Sequence, residues 1–218
     1  MSSKFETAHE GWDAAWSTDQ GRENWITPDP FVTGTMPVLK DRGCVAIADV
    51  GCGVGRHAMY FASQGMTVTG VDESGTGLEF LENEAEKAGY DITTAKASFT
   101  NLPFDDASLD AILSFNVIYH GNGDTVSRAI SETRRCLRAG SIFFGTLLSK
   151  RNSDFQLGEE VDTDTFLRTH GFDEGHPHYY ANASDVVRLM DGFELLALSD
   201  NVHRRPDSWH WHFVAEAV

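Results

Sequence analysis

The sequence has little cysteine. Cys44, Cys52 and Cys136 stand alone in 218 residues, odd in number and without a CxxC pair. Such a set supports neither a disulfide framework nor a cysteine zinc site. No apolar run approaches the roughly 20 residues that a membrane helix needs. The opening segment, Met1 to Glu6, is polar and lacks a signal-peptide core. A cytoplasmic protein with no membrane partner is expected. Positive charge is also scarce. Lysine and arginine number 17 against 33 acidic residues, for a formal net charge of −16. An acidic surface repels phosphate backbones, which argues against a nucleic-acid partner. Arg134-Arg135 and Arg204-Arg205 are short clusters that read as solvated surface. No internal repeat or low-complexity linker divides the chain.

With 41% hydrophobic and 23% charged residues, the composition is that of an ordinary globular protein. The length suits one domain with a lid. Val45 to Val50 is an apolar run before a glycine cluster, hence a buried strand. Gly55 to Gln64 reads as a helix, and Thr67 to Val71 as a second strand ending at Asp72. Thr76-Gly77-Leu78-Glu79 has the form of a capping box for the next helix, which Gly89 closes. Ile92 to Ala97 and Leu109 to Phe115 read as further strands. Asp124 is placed to cap a helix that stops at Gly140, and Ser141 to Leu148 reads as a fifth strand. Strands alternating with helices predict a mainly parallel sheet covered on both faces. Residues 1–44 form a front segment and 45–148 the core. The segment 149–192 is a weakly periodic insertion with one helix, Ala183 to Met190. Residues 193–218 carry two closing strands.

The loop Asp49-Val50-Gly51-Cys52-Gly53-Val54-Gly55 follows a strand and opens a helix. Open α/β sheets bind ligands at that strand end. A dinucleotide loop needs a third glycine at position 56, where Arg56 stands. The spacing is instead Gly-x-Gly-x-Gly, with an acid two residues before it. Asp49 is a poor neighbour for pyrophosphate and a good one for an ammonium. Asp72 lies where a carboxylate grips ribose hydroxyls. An amino acid joined to adenosine satisfies both acids, and S-adenosylmethionine is such a ligand.

The block from Ala48 to Gly55, with Val71-Asp72 after it, resembles motif I and the following acidic strand end of class I S-adenosylmethionine-dependent methyltransferases. Leu102 to Asp110 resembles that family's approach to its fourth strand. Arg135 to Gly140 resembles the turn before its fifth. The likeness spans about residues 45–148. The Gly55-Arg56-His57-Ala58 helix start is loosely similar to small methyltransferases of the tellurite-resistance kind. The resemblance implies a Rossmann-like, doubly wound, seven-stranded, mostly parallel sheet whose last strand is antiparallel. It also implies an N-terminal helical cover and a lid before the last two strands. By it, Asp49, Gly51, Cys52, Gly53 and Gly55 hold the methionine part and Asp72, beside Glu73, the ribose. Ser98 and Phe99 stand where the family often has an adenine-binding acid. S-adenosylhomocysteine would be the product.

Beyond strand four the sequence reads Ser114-Phe115-Asn116-Val117-Ile118-Tyr119-His120. Asn116 and Tyr119 are candidates to orient an acceptor and the cofactor end, and His120 to take a proton. Trp16 and Trp25, with Arg22, His176, His178 and Tyr179, are candidates to wall the acceptor pocket. Trp12 and Trp16 are four residues apart and share a helix face. The clusters His176/His178 and His210/His212, with His203, lack a cysteine or acid at ligand spacing, so no metal is expected. The expected activity is methyl transfer to a small molecule in a monomer or homodimer. A non-catalytic cofactor-binding module and a protein or RNA methyltransferase are the alternatives.

Overall fold

The computed structural model describes residues 8–218. The polar opening segment lies outside them. Helices α1 (Ala8–Trp16), α2 (Asp19–Arg22) and α3 (Pro30–Asp41) precede the sheet. Asp29 starts α3 by accepting from the Phe31 N–H, with Pro30 in the first turn. Then follow β1 (Ala46–Val50), α4 (Arg56–Ser63), β2 (Thr67–Asp72), α5 (Gly75–Ala88), β3 (Ile92–Lys96), β4 (Leu109–Ser114), α6 (Gly123–Cys136) and β5 (Leu137–Ser149). The insertion holds β6 (Glu160–Asp162), β7 (Thr165–Leu167), β8 (Pro177–Ala181) and α7 (Ala183–Leu189). The chain closes with β9 (Phe193–Val202) and β10 (Trp209–Ala217).

The central order is β3-β2-β1-β4-β5, all parallel, continued by β10 and β9. β10 runs antiparallel to both β5 and β9. These seven strands match the expected architecture. The insertion adds three more, because β8 pairs in parallel with the end of β5, and β7 and β6 follow it. β6 and β7 have three residues each, too short to leave a periodic signal.

Both faces of the sheet are buried. On β5, Phe143 belongs to one apolar cluster and Phe144 to the other, as period-2 alternation requires. Continuous apolar strands are the consequence of cover on both sides. Three local expectations differ from the structure. Ser74, not Thr76, caps α5, accepting from the Gly77 N–H. Asn122, not Asp124, caps α6. β5 begins at Leu137, because Leu137 already pairs with Leu109.

Candidate active site

The loop between β1 and α4 turns on left-handed glycines. Gly51 has φ of 72°, and a Cβ there would lie 2.1 Å from a Val117 methyl. Gly55 has φ of 81° with Leu81 as close as 2.2 Å. Any side chain at either position meets both strain and overlap. Asp72 ends β2 facing this loop. One carboxylate oxygen accepts from the Gly53 N–H at 2.7 Å, the other from the Ser74 N–H at 2.8 Å. Burial pushes its pKa up, against the pull of those N–H groups. Ser74 also donates to Asp13 at 2.6 Å, which ties α1 to the start of α5.

Asp49 lies beneath the loop, 1% exposed, and accepts from the Ala58 N–H at 3.0 Å. Burial raises its pKa to about 7, and the Asp72 charge adds to this. The folded chain thus keeps this proton to about pH 7, while the unfolded chain loses it near the ordinary value of 3.8. This contribution to stability is full below about pH 4 and is lost as pH rises to 7. Each unit is worth about 1.4 kcal/mol. Relative to Asp49→Asn, the natural chain should therefore lose on the order of 2 kcal/mol of unfolding free energy between pH 5 and 7. Urea unfolding of both chains at the two pH values measures this. Parallel profiles would remove Asp49 as the titrating group.

A cleft of about 830 Å³, open mouth included, adjoins the loop. Gly51, Cys52, Gly53, Asp72 and Glu73 line one side, and Phe99 and Asn116 another. Trp12, Trp16 and Trp25 cover it. Trp12 stacks on Trp16 at 4.9 Å, and Trp25 meets both edge-on. Arg56 and Arg204 lie over Trp25 at 4.9 and 4.7 Å. Arg56 is 7% exposed, and its Nη1 has no hydrogen-bond partner.

A second cavity of about 880 Å³ shares Trp12, Trp25, Asn116 and His120 with the first. Tyr119, His178, His203 and His210 also line it. Asn116 sits at the junction with φ of 64°. The Thr146 hydroxyl accepts from its N–H at 2.8 Å and donates to its Oδ1 at 3.1 Å. Its Nδ2 lies 3.1 Å from His203 Nε2. Asparagine tolerates the left-handed region better than most residues, and these contacts hold Asn116 in it. Burial drives the His120 pKa well below the usual 6.5, with the neighbouring His178 adding to it. Burial also lowers His57 and His210, each to about 3, so these imidazoles are neutral.

The structure does not bring every candidate together. Ser98 bonds Thr100 and lines neither cavity, although Phe99 lines the cleft. Arg22 is bound to Asp19 and the Trp16 carbonyl and lies over Phe80. Strand alternation turns Tyr179 away from His178, toward Gly123 under α6. His176 packs behind His120 and His178, at ring distances of 5.5 and 5.8 Å. Arg168, Asp154 and Asp173 were absent from the sequence reading and line the second cavity. They lie in the weakly periodic insertion and carry no local signature.

A methyltransferase-domain family model matches residues 48–145. An ubiquinone biosynthesis O-methyltransferase of Methylocella silvestris is 30% identical over 112 residues, 50% of this chain and 42% of its own length. An S-adenosyl-L-methionine-dependent Diels-Alderase of Talaromyces variabilis is 33% identical over 169 residues, 72% of this chain and 56% of its own. The chain thus spans about half the length of these curated relatives. The 1,6-didemethyltoxoflavin-N1-methyltransferase of Burkholderia thailandensis, solved with S-adenosylhomocysteine, shares the fold. It has a TM-score of 0.71 at 17% identity, covering 97% of this chain and 88% of that one. The matched region contains the glycine loop, Asp72 and the parallel core described above, so residues 48–145 are those of a methyltransferase domain.

Proposed function

We propose that this chain transfers a methyl group from S-adenosylmethionine to a small molecule held in the second cavity. The observation that carries this reading is the wall shared by the two cavities, with Asn116 and His120 at the junction. The cleft residues fit the cofactor. The buried, unpartnered Nη1 of Arg56 is suited to the methionine carboxylate. Asp72 accepts from the backbone N–H groups of Gly53, Ser74 and Glu73 and keeps acceptor capacity for a ribose hydroxyl. Trp16 and Trp25 offer aromatic faces to a sulfonium. When bound, the cofactor supplies an electrophilic methyl whose displacement discharges the sulfonium. What remains for the protein is alignment. Asn116, locked by Thr146 and His203, orients the junction. Tyr119, His120 and His178 hold the acceptor.

Titration calorimetry tests this. Both S-adenosylmethionine and S-adenosylhomocysteine should bind, and NADH should not. Arg56→Ala should weaken both by about tenfold, the worth of one charge-assisted contact. Screening thiols, amines, hydroxyls and oxyanions with labelled cofactor should then find transfer. Silence of both adenosyl ligands would overturn the reading. Binding without transfer to any acceptor would favour the second reading, a cofactor-dependent catalyst of another reaction, to which the Diels-Alderase relative points.

A further inference from the structure

We propose that His120, Asp173 and His178 form a binding site for one divalent transition-metal ion in the wall of the second cavity. Among the described residues, these three bring their ligand atoms within 4.8 Å of one another. They come from separate segments. His120 follows β4, Asp173 lies in the insertion, and His178 is on β8. The backbones of His120 and His178 pair as an isolated antiparallel bridge, which sets their rings 4.4 Å apart. His178 Nε2 lies 3.0 Å and His120 Nδ1 4.0 Å from the same oxygen of Asp173. Ligand atoms at about 2.1 Å from one ion stand roughly 3.0–3.5 Å apart. Closing the set requires His120 Nδ1 to approach the Asp173 oxygen by roughly 0.5–1 Å.

Two observations favour a cation at this position. His178 Nδ1 lies 3.1 Å from the His176 carbonyl. As the donor there, it leaves the lone pair of Nε2 facing a carboxylate oxygen. Two acceptors at that distance require a proton or a metal ion between them. His120 Nδ1 has no hydrogen-bond partner, on a side chain about 9% exposed. A proton on His178 satisfies the first and leaves the second. One ion bound by all three satisfies both. The His176 carbonyl is also the kind of outer partner that orients a ligating imidazole. Arg168 approaches the other Asp173 oxygen at 3.7 Å and pairs with Asp154. The inner oxygen remains available.

Two imidazoles and one carboxylate suit zinc, cobalt, iron(II) or manganese and leave coordination positions open. His120 and His178 both face the cavity. If the methyl-transfer reading holds, on which this step rests, an acceptor hydroxyl at an open position becomes more acidic. Its proton passes to water, its oxygen bonds the methyl carbon, and the carbon–sulfur electron pair stays on sulfur.

Cobalt(II) added to chelator-treated full-length protein is the probe, read by visible absorption and calorimetry. One equivalent should bind with new ligand-field bands. His178→Ala and Asp173→Asn should each weaken binding by at least about tenfold, with circular dichroism confirming the fold. His170→Ala, in the same cavity and outside the triad, should bind as the natural chain does. No saturable binding to the natural chain overturns the proposal whatever the variants do. Equal affinity in folded His178→Ala also overturns it, as adventitious binding. Calorimetry with S-adenosylhomocysteine in the same samples separates this outcome from failure of the cofactor reading.

Discussion

Replacing Asp72 by alanine should weaken binding of S-adenosylmethionine and S-adenosylhomocysteine by about a hundredfold. The direct loss is the carboxylate proposed to grip the ribose, worth about tenfold for charge-assisted hydrogen bonds. The indirect loss is comparable. Asp72 satisfies the Gly53 N–H at 2.7 Å and the Ser74 N–H at 2.8 Å. An unsatisfied buried donor costs about 1–3 kcal/mol, and one such loss is another tenfold. Gly53 belongs to a loop held in left-handed conformations by its surroundings, so losing this tie loosens the cradle itself. Asp72→Asn separates the two effects poorly, because its amide nitrogen must face one of two N–H donors. It should bind nearly as weakly as alanine. Calorimetry gives the affinity, and thermal unfolding shows how much of the change is loosening. Unchanged affinity in a folded variant would end the ribose assignment.

Gly145→Ala should cost about 3 kcal/mol or more of stability. Gly145 is in the middle of β5, opposite Ser114 of β4 on one side and Phe213 of β10 on the other. A Cβ there would stand 1.9 Å from the Ser114 carbonyl oxygen. That atom is backbone in a buried ladder and has no rotamer to escape into. Relief requires the strands to part, where total stability is only about 5–15 kcal/mol. The damage also reaches the site. Ser114 leads into Asn116, and Gly145 precedes Thr146, the hydroxyl that holds Asn116. Gly34→Ala is the control, because a Cβ there meets nothing within 4 Å. In a helix it should be neutral or stabilising by up to about 1 kcal/mol. Chemical denaturation compares the two. Equal stability of both variants would show that the β4–β5 spacing yields more readily than close packing implies.

The glycine-loop end of the molecule was legible because its signals are local. β1, the three loop glycines and Asp72 lie within 27 residues, and each residue type answers a nearby backbone need. The caps were harder. Thr76 and Asp124 have suitable side chains, but α5 and α6 begin earlier, at Ser74 and Asn122. Short polar residues crowd both starts, and tertiary contact selects among them. In α5 that contact is Asp13, which accepts from the Ser74 hydroxyl and the Thr76 N–H.

Tyr179 shows a second limit. In sequence it sits beside His178 and appears equally fit for the pocket. Once Pro177–Ala181 is a strand, alternation sends the two side chains to opposite faces. Asp173 shows a third. Nothing near it in the chain distinguishes it from other acids, yet the fold places it 3.0 Å from His178.

By itself the sequence determined the parallel core, the glycine turn and the acid that ends β2. Apolar alternation and left-handed turns are imposed within a few residues, so they can be read within a few residues. The second cavity was decided only by tertiary structure. Its walls come from α1, the turn after β4, the insertion and the β9–β10 turn, whose meeting depends on how the sheet closes. Long-range packing, not local preference, brings Asn116, His120, Asp173 and His178 to one cavity.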